Sequence, residues 1–335
     1  MKFATLKNST RDGQLLVVSR DQHHAVMVND IASTLLEAIE NWDDCHLALQ
    51  AIYDKLNVGK MPGAFTFDAT KTAAPLPRAP QWCDGSAFLN HSRLMQKAYN
   101  LPPIPEAELI PLMYQGASDD FLSAHDPILL PDESHDIDFE GEYGVIVDDV
   151  PMGCPASHAF QHIKLIVQIN DVSLRAFGPR EMLTGFGFLH AKPSSSFAPI
   201  AITPDELGND WHNGRVCLPL HVAYNGKWFG HPNGAHMNFG FHELIAHAAH
   251  TRKLSAGTII GSGTVSDSDP KAGSACIAEQ RAIETIESGQ PATPFMRFGD
   301  RVTMKARQSD GALPFGIIDQ CIGQAVHMPR ERVAE

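Results

Sequence analysis

Glu140 and Glu142 stand two residues apart at the start of the apolar run Tyr143-Gly144-Val145-Ile146-Val147. In a β-strand, residues i and i+2 point to one face, so the two carboxylates stand side by side. Two carboxylates aimed into one space repel each other unless a proton or a cation lies between them. Taken alone, the pair is better explained as a solvated strand end, because exposed acids are the norm. Two further acids bear on the choice. Asp171 follows the apolar run Leu165-Ile166-Val167-Gln168-Ile169-Asn170, and Asp84 lies in the loop-like stretch Cys83-Asp84-Gly85-Ser86. If the four meet, their all-oxygen donor set suits a hard divalent cation, Mg²⁺ or Ca²⁺ with Mn²⁺ also accommodated, rather than zinc. Spacing alone does not make them converge.

The histidines offer a base. There are 17 of them, so most are ordinary surface or core residues. His158 and His162 have the i, i+4 spacing of a metal pair on a helix, but no third ligand accompanies them. His242-Glu243-Leu-Ile-Ala-His247 has one residue too many between Glu and His for the zinc-protease pattern. His91 is set apart by its place seven residues after Asp84, in Asp84-Gly-Ser-Ala-Phe-Leu-Asn-His91. The loop Gly261-Ser-Gly-Thr264-Val-Ser266 could hold an anion on its amides and hydroxyls, although it is neither a Walker loop nor G-x-G-x-x-G, and by composition alone a plain turn is the favoured reading.

The elements that position these residues read as follows. Residues 1–30 alternate apolar and polar between turn signals and read as short strands. Thr34 to Leu56 has helical apolar spacing, with Trp42-Asp43-Asp44 dividing it in two. Residues 70–80 are proline-rich and aperiodic, an extended linker between a small N-terminal unit (1–75) and a larger domain (76–335). A short helix is expected near Ala156–Ile163, a strand over 165–169, a loop with a helical turn over 178–196 and a hairpin about Asn225-Gly226. Phe241–Ala249 reads as an amphipathic helix and 258–260 as a strand. Asp300–Met304 and Pro314–Ile318 read as a closing strand pair. Many short strands with few helices place the chain in an α+β, β-rich class rather than a doubly wound sheet.

Composition narrows the function. The 335 residues are 43% hydrophobic and 19% charged, ordinary values for a globular protein. A net charge of −13 argues against nucleic acid or an anionic membrane surface as partner. No apolar run reaches the ~18 residues of a membrane span, and the first residues lack the pattern of a secretory signal. The six cysteines are scattered without C-x-x-C and read as reduced thiols, which points to the cytoplasm.

Taken in order, Asp84…His91, Asp138-Phe-Glu140-Gly-Glu142, Asn170-Asp171-Val-Ser-Leu-Arg175, Lys192-Pro, Gly261-Ser-Gly-Thr264-Val-Ser and Gly273-Ser-Ala-Cys-Ile-Ala-Glu279 resemble the fumarylacetoacetate hydrolase family from about residue 80 onward. The resemblance implies a mixed β-sandwich roll behind a small N-terminal β-containing unit, assembled as a homodimer. It implies metal ligation by Asp84, Glu140, Glu142 and Asp171, and not by Asp138, whose parity alone would admit it. His91 matches the base that activates water and Glu279 the acid that orients it. Arg175 and Lys192 match groups that stabilise an oxyanion, and Tyr114 and Thr264 match substrate contacts.

The implied reaction is metal-dependent hydrolysis of a C–C bond in a small β-diketo acid. The leading substrate is fumarylacetoacetate, cleaved to fumarate and acetoacetate in tyrosine breakdown. Other readings on the same scaffold are a fumarylpyruvate or acylpyruvate hydrolase, a 2-oxo acid decarboxylase, hydratase or isomerase, and a catalytically silent ligand-binding protein. The chain departs from the family pattern at Ser86 in place of Tyr, Asn100 in place of Arg and Gly178 in place of Gln, which bears on the substrate.

Overall fold

The computed structural model describes residues 1–325. The last part of the expected larger domain, 326–335, lies outside the described residues. The protein is a mixed α+β structure dominated by two sheets. The larger has eleven strands and the smaller five. Alternation along the strands builds two cores. Tyr143, Val145 and Val147 of the strand Gly141–Val147 point into one, shared with Leu220, Val302 and Ile318 of the smaller sheet. Ile146 points into the other, where Leu35, Leu49 and Tyr53 of the helices Leu35–Glu40 and Trp42–Asn57 cover the large sheet.

The N-terminal strands Lys2–Leu6, Gln14–Val18, His24–Met27 and Phe65–Thr66 form an antiparallel meander. It joins the rest of the large sheet where Lys2–Leu6 pairs with Ala201–Ile202. The proline-rich 70–80 stretch is extended but tied down. The Ala73 N–H donates to the Thr5 carbonyl at 2.9 Å, and Ala74 and Leu76 are buried.

The middle of the large sheet concerns function. Strands Ile163–Asn170 and Gly141–Val147 are antiparallel, with Ile169 opposite Glu142. Ile259–Gly261 pairs with Gly141–Val147 on one side and, in parallel, with Trp82–Gly85 on the other. The end of Ile163–Asn170 thus meets the start of Gly141–Val147, beside the end of Trp82–Gly85. Ile169, Ile146 and Trp82 all belong to the helix-covered core. By period-two alternation, Asp171, Glu142 and Asp84 leave the same face at the same end of the sheet.

Most expected elements are present, including the Trp42 break, the helix Gly178–Thr184, and the hairpin Leu220–Tyr224/Lys227–Gly230 with Asn225 and Gly226 at positive φ. Three readings need correction. Asp84 is on a strand, not in a loop; Trp-Cys-Asp-Gly lacks β-branched residues, and pairing with a distant strand defines it. The closing pair is Arg301–Ala306 with Ile318–Gln324. Pro314–Ile318 is a connection in which buried Phe315 accepts from the Ile200 N–H and Gly316 takes positive φ. The helices Leu89–Tyr99 and Ile277–Ser288 carry no strong local start signal and were not expected. Among the described residues no helix is long and apolar enough to cross a membrane.

Candidate metal and catalytic site

Ligand oxygens of Asp84, Glu140, Glu142 and Asp171 lie within 4.8 Å of one another, and all four residues are buried. Gly261 makes part of the room: a Cβ there would fall 2.3 Å from Asp84 Oδ1 and 2.3 Å from the Trp82 ring. The loop that follows holds a carboxyl group of the chain itself: Asp84 Oδ1 accepts from the Gly263 N–H at 3.1 Å.

Two cations lean on one side of the cluster. Lys192 Nζ donates to Glu140 Oε2 (2.9 Å), Asp171 Oδ2 (2.6 Å) and Ser173 Oγ (2.8 Å), which engages all three ammonium protons. Arg175 Nε donates to Asp138 Oδ2 at 2.9 Å, and its Nη2 lies 2.6 Å from Glu140 Oε1. Tyr114, on the strand Met113–Gly116, donates to Asp171 Oδ2 at 2.6 Å and lies under Lys192. Ser195 Oγ supplies Asp171 Oδ1 at 2.7 Å.

The other side has no such cover. Glu142 is fully buried, and neither of its oxygens has a hydrogen-bond partner. Burial and the neighbouring carboxylates push both Glu142 and Asp84 well above the ordinary carboxylate range. Glu140 goes the other way: burial opposes its charge, but Lys192 and Arg175, with His91 in the same sense, hold it below that range. Burial likewise opposes the charge of Lys192, and Asp171 and Glu140 outweigh it to hold the ammonium above its ordinary value. Four carboxylates with two cationic neighbours leave a deficit of positive charge centred on Glu142. An oxygen-only set with an orphaned buried carboxylate fits a hard divalent cation.

His91 lies in the first turn of Leu89–Tyr99. Its Nδ1 is 2.7 Å from Oε2 of fully buried Glu279, which lies in the first turn of Ile277–Ser288. With Nδ1 assigned as the donor, Nε2 remains an acceptor. Asp138 is used elsewhere. Its two oxygens accept from the N–H groups of Ile277 (2.7 Å) and Ala278 (2.9 Å), so it holds the start of the Glu279 helix as well as Arg175.

The expected site residues Asp84, Tyr114, Glu140, Glu142, Asp171, Arg175 and Lys192 are therefore drawn together, with His91 and Glu279 as an adjoining pair. Thr264 is buried in the loop that holds Asp84. The helical reading around His158 and His162 separates: the helix Ala156–Ala159 ends between them, and His162 pairs with Asp148 at 2.6 Å. Residue typing alone did not single out Ser173 and Ser195, because serines are too common to signal; only their contacts mark them. Asn100 is the left-handed C-cap of the His91 helix, and a side chain at Gly178 would meet nothing within 4 Å.

Comparison with known proteins matches the C-terminal model of fumarylacetoacetate (FAA) hydrolase to residues 81–322. The model of fumarylacetoacetase N-terminal domain 2 matches residues 1–78. Human mitochondrial oxaloacetate tautomerase FAHD2A is 25% identical over 185 residues, 54% of this chain and 54% of that protein. The match thus spans about half the length of such curated relatives. The fumarylacetoacetate hydrolase of Exiguobacterium antarcticum superposes with a TM-score of 0.66 at 16% identity, over 97% of this chain and 100% of that one. The maleylpyruvate hydrolase of Sphingobium sp. SYK-6, in complex with manganese(II) and pyruvate, superposes at 0.64 with 15% identity over 97% and 100%. At these identities the structural matches speak to the fold.

Proposed function

The chain belongs to the fumarylacetoacetate hydrolase family, and from that premise we propose that it is a divalent-metal-dependent hydrolase of a C–C bond in a β-diketo acid, fumarylacetoacetate or a close relative. The observation that carries this reading is a juxtaposition. A buried acid cluster that fits a cation lies within electrostatic reach of a histidine whose Nδ1 is held by buried Glu279. In this reading Asp84, Glu140, Glu142 and Asp171 hold the cation, which supplies Lewis-acid polarisation of the substrate's paired oxygens.

The chain's own residues do the rest. Glu279 keeps the His91 proton on Nδ1, which frees Nε2 to take a proton from water, and an imidazole suits that task near neutral pH. Glu279 also stabilises the imidazolium that results. Hydroxide adds to the carbonyl, and the oxyanion needs donors. Lys192 and Arg175 are the candidates, but Lys192 is saturated by Glu140, Asp171 and Ser173. It must exchange one of these partners to donate to substrate, and Glu140 and Asp171, which would also hold the cation, are the partners it would release. Tyr114 and Asp171 fix the floor beneath. The departing carbon leaves as an enolate, which His91 can reprotonate. Homodimer assembly, a small-molecule diketo acid as partner and a native Mg²⁺ or Ca²⁺ are parts of the same proposal, with Mn²⁺ as the ion that a structural neighbour contains.

A second reading, tautomerisation of a 2-oxo acid, is supported by the likeness to human oxaloacetate tautomerase FAHD2A. There the same His91 would move a proton between carbon and oxygen without adding water. Product analysis separates the two. The chain is incubated with fumarylacetoacetate and, separately, with oxaloacetate in the presence of Mg²⁺. Two shorter acids from the first support hydrolysis. Enol–keto interconversion of the second, with no cleavage of the first, replaces it by the tautomerase reading.

A further inference from the structure

Arg175 and Lys192 sit at the two ends of one excursion of the chain. Between them the helix Gly178–Thr184 is followed by Gly185 and Gly187, both at positive φ. The excursion has little core of its own: Leu183 is 89% exposed and Phe186 97%. Such a segment has many alternative paths, so something must fix the path that delivers Lys192 to the carboxylates.

Glu181 is the residue placed to do so. One of its oxygens accepts from the His190 N–H at 2.8 Å, and the other from the N–H groups of Leu189 and Ala191 at 3.0 and 3.1 Å. The His190 ring lies 3.3 Å away, and the Glu181 side chain is only 13% exposed. Burial pushes its carboxyl up, but the three N–H donors outweigh burial and hold it below the ordinary range. The other edge of the same backbone is anchored by the Leu174 N–H, which donates to the Ala191 carbonyl at 2.8 Å. The next residue is Lys192. Within the same loop Phe188 meets the Tyr114 ring edge-on at 5.0 Å.

Resting on the reading that Lys192 serves the reacting centre, we propose that Glu181 is its positioning residue: by gathering the N–H groups of residues 189–191, it fixes the backbone from which Lys192 reaches Glu140 and Asp171. Glu181 touches neither the four carboxylates nor the His91 pair. Its effect on the reaction passes through Lys192, and through the seating of Phe188 on Tyr114. Displacements of about 1 Å at a reacting group cost on the order of 10²-fold in rate, so backbone control at this point has leverage.

The test is amine labelling of the full chain with an N-hydroxysuccinimide ester, read residue by residue by mass spectrometry, together with steady-state kinetics. Lys164, which has its own ion pair with Asp148 at 2.8 Å, is the internal reference. In Glu181→Ala, the labelling rate of Lys192 is expected to rise about tenfold, as loss of a charge-assisted set of hydrogen bonds opens the loop locally. Lys164 should stay at its wild-type rate. Glu181→Gln keeps a carbonyl oxygen as acceptor and should fall between. Turnover of the diketo acid should lose kcat in the same order, with KM little changed. A Lys192 rate in Glu181→Ala equal to wild type overturns the proposal, as does a rise matched by Lys164. If wild type cleaves no diketo acid, the reaction assignment fails while the labelling result still decides the role of Glu181.

Discussion

Nδ1 of His91 and Oε2 of Glu279 meet at 2.7 Å across 188 residues of chain. Two helices that share no sequence neighbourhood pack together, and this contact joins their first turns. If His91 is the base, replacing it by Ala should lower kcat by about 10²–10⁴-fold. Mn²⁺ affinity, measured by titration, should be unchanged, because the imidazole is not among the four oxygen donors. Loss of Mn²⁺ binding along with activity would contradict the role given to it.

Glu142 gives a pH-dependent expectation. Burial, then the neighbouring carboxylates, raise the pKa of Glu142 and Asp84 well above the ordinary value. In the metal-free protein these groups keep protons that the unfolded chain has released. Their contribution to stability therefore falls as pH rises above about 4. Glu140 is shifted down, so its contribution is complete once pH exceeds its unfolded value; Lys192 is shifted up, so its contribution is lost only above about pH 10. Between pH 5 and 8 the raised pair dominates within the cluster. Glu142→Gln removes one member of it, and the histidines, common to both proteins, cancel in the comparison. In chelator, the Tm of Glu142→Gln relative to wild type should climb by on the order of 2–5 °C from pH 5 to pH 8. A difference that does not vary with pH would contradict the assignment.

Lys192 Nζ donates to two of the carboxylates, Glu140 and Asp171. Lys192→Met leaves Glu140 and Asp171 without that charge. Urea denaturation in chelator should show a loss of roughly 3–5 kcal/mol, the usual result of breaking a buried pair from one side. Added Mg²⁺ should recover part of it. Equal denaturation midpoints in chelator would show that the ammonium is not what balances these acids.

Gly261 tests the room for the cluster without altering a charge. In Gly261→Ala the new methyl would meet Asp84 Oδ1 and the Trp82 ring, each at 2.3 Å. Displacing Asp84 should weaken Mn²⁺ binding about 10–100-fold, as misdirected ligands do. Wild-type affinity in a folded variant would remove Asp84 from the ligand set.

The parts of this site differ in how legible they are in the sequence, for physical reasons. Strand parity is a local property, so the shared face of Glu140 and Glu142 can be read from the β-branched run that follows them. The apolar strand before Asp171 is equally plain. The two helices of the His91–Glu279 pair are not. The first N–H of Leu89–Tyr99 is taken by Asn238 Oδ1 at 2.9 Å, 149 residues away. The first N–H groups of Ile277–Ser288 are taken by Asp138. Helices whose first N–H groups are held from a distance carry only weak start signals of their own; the local cap of Ile277–Ser288 is Cys276 Sγ, which accepts from the Glu279 N–H at 3.3 Å. Asp138 shows the converse: its parity suits a ligand, yet it is committed to a helix terminus and to Arg175. The strand at Asp84 and the hold of Glu181 on residues 189–191 are likewise set by partners that local pattern does not name.

The most direct measurement is the rate of fumarylacetoacetate cleavage by protein stripped with chelator, before and after Mg²⁺ or Mn²⁺ is restored, with both product acids quantified. The expected result is no fumarate or acetoacetate from the stripped protein and full return of both with the ion in wild type, but not in Glu142→Ala. Cleavage that proceeds at the same rate in chelator, or that survives Glu142→Ala, would contradict the four-carboxylate metal site as the centre of the reaction.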